Sequence, residues 1–223
     1  MIRLLDVFFS LSAILLLSPL LITCAIILRF TGEGEVLYLQ NRVGKNMKVF
    51  SLFKFATMVK NSEKIGAGTV TLRNDPRVLP FGKFLRITKI NELPQLFNIL
   101  FGDMSVIGPR PLLNKQFSMY SDENKAIISS ISPGLSGVGS IIFRDEEEML
   151  SQAKDPLEYY ENFISPYKAY LEKWYVQKRS IFLYFKLIFI TLLAVIFKKI
   201  NPLGMISKRL VSFEEYFQST KAE

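Results

Sequence analysis

The chain has 223 residues, with 28 Lys and Arg against 20 Asp and Glu, a formal charge of +8 and no histidine. The missing imidazole excludes Ser-His-Asp and Cys-His catalysis and removes the usual zinc donor. Chemistry must then come from carboxylates, cations, hydroxyls or a hard metal ion held by oxygen. A mean hydropathy of +0.24 with 49 % apolar residues sets this basic chain apart from a polar nucleic-acid binder and favours an anionic membrane lipid surface. Its one cysteine, Cys24, lies in an apolar run and permits no intramolecular disulfide, which fits a reducing compartment.

Val7 to Leu28 carries no charge, and a helix of that length reaches roughly 33 Å, enough to cross a bilayer core. No small-x-small cleavage site follows, as a secretory signal would require; the next residues are Arg29, Phe30 and Thr31. Arg3 before the run and Arg29 after it leave the positive-inside rule without a preference. Ser18-Pro19 lies mid-run, where proline removes a backbone hydrogen bond and a neighbouring serine can re-satisfy the freed group. Two readings stay open: a spanning helix, or a helix-break-helix that enters and leaves by one face.

Residues 34–60 read as short strands and turns, at 36–39, 41–44 and 49–53. Residues 61–73 are polar and glycine-bearing and predict a loop, and Asp75-Pro76-Arg77 is a turn signal. Glu92 to Leu100 has helical spacing, with Pro94 tolerable only in a first turn. Pro133 to Gly137 is a second glycine-rich turn, and Gly139 to Phe143 reads as a strand. Asp155 to Gln177 predicts a helix rich in aromatic residues. Ile181 to Phe197 is a second apolar run, interrupted by Lys186, with the character of an interfacial helix near lipid phosphates.

The densest chemistry lies between Ile90 and Pro111. Glu92 and Asp103 stand in one block with Arg110, and Arg77 and Arg86 lie shortly upstream. Carboxylates hold Mg²⁺, while arginines clamp phosphate oxygens in a planar fork. The glycine and prolines around Arg110 constrain its backbone and so aim its side chain. Lys54, between two phenylalanines, either reaches a phosphate or keeps its head in water. Arg144 to Glu148 is a charge run, a solvated face or, at the end of the expected strand, a contributor to a site. No Walker A motif is present.

Taken together, these motifs resemble the bacterial sugar transferases, the monotopic phosphoglycosyl transferases. The likeness runs through Ser18-Pro19, Gln40 to Gly44, Phe50 to Met58, Asp75 to Arg77, Phe81 to Arg86, Glu92 to Leu96, Gly102 to Ser105, Gly108 to Pro111 and Pro133 to Gly137. The resemblance implies a mostly helical α/β fold. A re-entrant membrane helix over 1–30 would be followed by a transferase domain over 31–223. That domain would sit on the cytoplasmic face of the inner membrane, with interfacial amphipathic helices and a membrane-associated helix near 178–200. It implies transfer of a sugar-1-phosphate from a UDP-sugar to polyprenyl phosphate, with release of UMP and a need for Mg²⁺. It leaves a homodimer open and gives no role to nucleic acid.

On this likeness Lys54, Arg77, Arg86, Arg110 and Arg144 bind phosphates, and Glu92 with Asp103 or Asp145 holds the metal. At the position where members carry an attacking aspartate the chain has Asn91, an amide that is far less nucleophilic than a carboxylate. Ala56 stands where an arginine is usual, and Tyr184 where an acid is frequent. A subgroup resembles this chain both from Thr88 to Glu92 and from Phe143 to Glu147, which makes Asp145 a candidate substitute. The alternative implied by Asn91 is a catalytically silent homologue that binds nucleotide-sugar or a partner transferase.

Overall fold

The longest apolar run forms the longest element. In the computed structural model, which describes residues 1–64, 75–197 and 200–220, α1 (Ile2–Phe30) is a single helix with Pro19 inside it. Proline has no N–H, so the carbonyl four residues earlier, that of Leu15, loses its helical donor. Ser18 Oγ donates to that same carbonyl at 2.8 Å. The expected break is therefore a continuous helix, because the serine supplies the donor that proline lacks. Among the described residues α1 alone is long and apolar enough to cross a membrane.

After α1 comes an antiparallel hairpin of β1 (Leu37–Val43) and β2 (Val49–Phe55), closed by a tight turn in which Asn46 and Met47 have φ of 53° and 61°. The expected strands at 36–39 and 41–44 are one strand. The expected loop at 61–73 lies largely outside the described residues. Pro80 opens α2 (Pro80–Ile87) from its first turn, where its missing N–H costs nothing. A left-handed Lys89 and a 3-10 turn over Ile90–Glu92 lead into α3 (Gln95–Phe101). That helix starts after Pro94 rather than at Glu92, and it ends on Gly102 at φ +104°, a left-handed cap suited to glycine.

β3 (Ser105–Ile107) pairs in parallel with β4 (Gly134–Ser136), and α4 (Asn114–Ser118) and α5 (Asp122–Ile128) form the crossover between them. The pairing is unusually tight: a Cβ at Gly134 would lie 2.0 Å from the Gly108 nitrogen. The residues after β4 form α6 (Val138–Ile142), not the strand that their β-branched run suggests. Val138 and Ile141, one turn apart, are both buried in the main core, so helical spacing rather than alternation meets that core. Then comes α7 (Glu146–Gln152), and the aromatic helix expected over Asp155 to Gln177 follows as α8 (Pro156–Tyr159), a π-helical turn over Tyr160–Ile164 and α9 (Ser165–Lys178).

The chain continues as α10 (Ile181–Ile196), α11 (Pro202–Ile206) and α12 (Phe213–Thr220). The fold is thus a mostly helical α/β arrangement with two small two-stranded sheets. Its main core gathers Tyr167, Leu171 and Tyr175 of α9 with Tyr184 and Leu187 of α10. On the other face of α10, Phe182, Phe189, Leu192 and Val195 are exposed. Lys186 donates to the Ile206 carbonyl at 3.1 Å and so serves α11 rather than a lipid headgroup.

One face of α1 packs along its length. Ile2, Leu5 and Phe9 meet the main core, Ala13, Ile14 and Leu17 meet Leu52 and Ile99, and Leu21, Cys24 and Leu28 meet Phe55 and Leu85. The other face, with Leu4, Phe8, Leu15, Leu16 and Ile26, is bare. Arg3 caps α3 through the carbonyls of Ile99 and Leu100. Asp6 is buried, and one carboxylate oxygen accepts from Ser105 Oγ (2.9 Å), Val106 N (2.9 Å) and Tyr184 OH (2.8 Å). Removing a buried acceptor strands its donors. Asp6→Ala is therefore expected to cost about 3 kcal/mol and Tyr184→Phe about 1 kcal/mol, read as thermal unfolding in detergent. Negligible shifts for both would mean that apolar packing alone seats α1.

Candidate active site

The site is built on the inward face of the hairpin. Side chains alternate along a strand, so Tyr38, Gln40 and Arg42 share one face, opposite Lys54, Leu52 and Phe50 respectively. Arg42 donates through Nε and Nη2 to Gln40 Oε1 and through Nη1 to the Pro111 carbonyl at 3.2 Å. This fixes the guanidinium beside the stretch that carries Arg110. Arg110 itself follows the tight β3–β4 pairing, where Gly108 N donates to Ser136 O and Gly134 N to Pro109 O. A Cβ at Gly137 would lie 2.1 Å from the Gly108 carbonyl oxygen, so the loop and the strand approach as closely as only glycine allows.

Arg42, Lys54 and Arg110 converge on a cleft of about 230 Å³ that Gln95, Gly134 and Leu135 also line. Glu92, from the turn before α3, lies 3.8 Å from Arg110 Nη2. Burial pushes Lys54 down to about 7 against the pull of Glu92, with Arg42, Arg110 and Arg86 adding repulsion. Burial, and then Arg110, lower Arg42 to about 10. Burial pulls Glu92 upward, but Arg110, Lys54, Lys89 and Arg42 outweigh it and hold its carboxyl below the usual range. The result is a half-enclosed excess of positive charge around one ionised carboxylate, an arrangement that suits a polyanion.

Of the residues singled out from sequence, Lys54, Glu92 and Arg110 meet in this cleft, and Arg86 acts on it electrostatically. Asn91 is buried beside Glu92, and among the described residues its Oδ1 has no hydrogen-bond partner. Other candidates lie elsewhere. Arg77 is buried against Asp75, donating Nε at 2.8 Å and pairing through Nη2, while its Nη1 reaches the Ser62 carbonyl. Asp103 accepts from Asn98 Nδ2 at 3.2 Å, and Asn98 in turn binds the β2 backbone at Ser51 and Phe53. Asp103 thus follows the far end of α3, roughly 10 Å of helix away from the turn that carries Glu92. Arg144 is spent on the carbonyls of Ala194 and Phe197 that end α10, and its neighbour Asp145 is largely exposed.

The member of the acidic run that turns inward is Glu146, paired with the buried Lys168 of α9. Glu146, Tyr160 and Glu172 all act on Arg110, so this second polar cluster borders the cleft. Sequence reasoning missed Gln40, Arg42, Glu146, Lys168 and Glu172. Gln40 and Arg42 were detectable as polar residues at period two, and Lys168 and Glu172 as an i, i+4 charged pair on an otherwise aromatic helix.

An apolar helix long enough to cross a membrane thus lies against a globular part whose cleft holds an excess of positive charge. The chain belongs to the bacterial sugar transferase family, whose model matches residues 1–198. It is 34 % identical over 194 residues to a UDP-glucose:undecaprenyl-phosphate glucose-1-phosphate transferase of Klebsiella pneumoniae, a match covering 85 % of this chain and 38 % of that protein. It is 39 % identical over 139 residues to a UDP-N-acetylgalactosamine-undecaprenyl-phosphate N-acetylgalactosaminephosphotransferase of Aeromonas hydrophila, covering 61 % of this chain and 33 % of that one. With the exopolysaccharide production protein ExoY of Rhizobium meliloti it shares 32 % identity over 172 residues, 71 % of this chain and 76 % of the relative. The chain therefore spans well under half the length of the first two.

Lys54 offers a test of the cleft. Above pH 7 the free protein holds this amine mostly neutral, so binding an anion must also take up a proton, at growing cost as pH rises. The affinity for sulfate, a dianion that does not titrate in this range, is expected to fall by up to about tenfold per pH unit above 7. Lys54→Met should flatten that profile in titration calorimetry. An equally steep profile in the variant would place Lys54 outside the binding site.

Proposed function

We propose that the chain transfers a sugar-1-phosphate from a UDP-sugar to polyprenyl phosphate, undecaprenyl phosphate in the relatives, and releases UMP. The observation that carries this reading is the convergence of Lys54, Arg42 and Arg110 around Glu92, in a chain of this family. The three cations would clamp the diphosphate, with the planar guanidinium forks setting its orientation.

Mg²⁺ characteristically binds through one or two carboxylates plus substrate phosphates and water. Among the described residues no group of three or more Asp, Glu, Cys or His side chains is placed to hold a metal ion, so an all-protein cage does not fit, but Glu92 beside the diphosphate does. Glu92 would hold the ion, which supplies neutralisation of the charge on the departing phosphate.

Asn91 cannot act as a carboxylate nucleophile, Asp145 is exposed, and Glu146 is paired with Lys168. We therefore favour direct attack. An oxygen of the polyprenyl phosphate bonds to the β-phosphorus, the bond from that phosphorus to the bridging oxygen breaks, and UMP leaves with the electron pair. Positioning and electrostatic stabilisation supply most of the catalysis in such transfers.

The membrane geometry follows from α1. Both its ends pack on the same globular body, which supports a re-entrant over a spanning helix. The bare face of α1, with Phe84 and Ile87 of α2 and Phe182 and Phe189 of α10, supplies the lipid-facing surface. A cytoplasmic face and contact with anionic lipid agree with the net charge of +8.

A UMP-release assay over a panel of UDP-sugars, with undecaprenyl phosphate and Mg²⁺, tests the reading. Wild type should release UMP with at least one sugar, and Glu92→Gln should lower the rate by roughly a hundredfold. Initial-rate kinetics should be sequential. Ping-pong patterns would remove direct attack, and a silent wild type that responds only after Asn91→Asp would leave a binding homologue.

A further inference from the structure

Arg110 also lines a second, partly open pocket on which the transfer chemistry makes no demand. Its walls are apolar and aromatic, with Val43, Leu112, Phe117, Tyr120 and Ile128, and Glu172 of α9 joins them. Glu172 is only 3 % exposed. Its Oε1 accepts the Arg110 N–H at 3.3 Å and lies against the Gly139 backbone. Its Oε2 is buried with no hydrogen-bond partner among the described residues. Lys168, one helical turn earlier, could neutralise it but gives its ammonium to Glu146.

A buried carboxylate oxygen without a donor is costly, and the cost is returned to any ligand that supplies one. The surroundings restrict that ligand. A divalent ion needs several oxygens, and these walls offer one carboxylate. A sugar carries hydroxyls on every side and would leave most of them facing aliphatic carbon. A flat heterocycle with apolar faces and one N–H edge fits both the walls and the orphan oxygen. It must also be joined to phosphate, because Arg110 is common to this cavity and to the cationic cleft.

We propose that this cavity is the nucleobase subsite, in which Glu172 Oε2 accepts the imide N–H of uracil while Arg110 holds the adjoining phosphate. The assignment rests on the UDP-sugar reading above and extends it to the recognition of the base. Burial raises the Glu172 carboxyl to about 7. Above that pH Oε2 is an acceptor only, and cytosine, with a lone pair at the same ring nitrogen, meets it unfavourably.

Titration calorimetry of the 223-residue chain in detergent at pH 8, with UMP, CMP and inorganic pyrophosphate, tests it. In Glu172→Gln the backbone donors hold the amide oxygen, which turns the amide N–H₂ toward the base. UMP affinity should then fall roughly tenfold to a hundredfold, pyrophosphate affinity should stay within about twofold, and the preference for UMP over CMP should narrow or reverse. Loss of a merely structural contact would not favour CMP. Phe117→Ala, which leaves the carboxylate intact, should weaken UMP by roughly tenfold and again spare pyrophosphate. Unchanged UMP affinity in both variants, or parallel loss of UMP and pyrophosphate, overturns the subsite. If wild type still releases UMP from a UDP-sugar in that case, the transferase reading stands without it. A wild type that binds neither UMP nor pyrophosphate overturns both.

Discussion

A single carboxylate governs how the parts of this molecule sit. Asp6 is buried, and a buried acid is tolerable only when its oxygens find donors. The donors come from β3, through Ser105 and Val106, and from α10, through Tyr184. The apolar helix, the strand that precedes Arg110 and the aromatic core helix are thereby locked into one arrangement. Arg110 follows β3 after only Gly108 and Pro109, so the position of α1 is transmitted to the cleft through a short and glycine-tight connection. Tyr184, where the family resemblance implied an acid, acts here as a donor to an acid on another element.

The cleft carries an imbalance that only a ligand removes. Arg42, Lys54 and Arg110 crowd one ionised partner, Glu92, in a partly desolvated space. Charges held this way destabilise an empty site, and the lowering of Lys54 to about 7 expresses that strain. The hairpin tolerates it because the cations are held by fixed neighbours, Arg42 by Gln40 and the Pro111 carbonyl, and Arg110 by a backbone that glycines pin to β4. Preorganised positive charge of this kind needs no rearrangement when phosphate arrives.

What the sequence revealed divides along a physical line. Features set by local chemistry were legible: the uncharged run of α1, the Ser18-Pro19 pair, the hairpin, and the backbone constraint around Arg110. The charge-bearing block from Glu92 to Arg110 pointed to a stretch that borders the cationic cleft. Features set by tertiary partners were not. Arg77, Asp103 and Arg144 read like Arg110 in sequence, and only folding shows them committed to Asp75, Asn98 and the end of α10. Gly139 to Phe143 looks like a strand because β-branched residues favour one, but the core takes it as a helix. Glu172 lies 62 residues from Arg110 on a helix dominated by tyrosines, so nothing local announces their contact.

The way α1 lies on the body has a further consequence. A protein held by one spanning helix can swivel about that helix, and its cleft sweeps through many heights and angles. Here both arms of the helix, before and after Pro19, are packed on the globular part. In a membrane such a molecule has a fixed attitude, with the cleft at constant height over the leaflet. On the proposed transferase reading, a lipid acceptor would reach it by lateral diffusion, so the encounter frequency would follow the acceptor's surface density and be indifferent to the volume of solution around it.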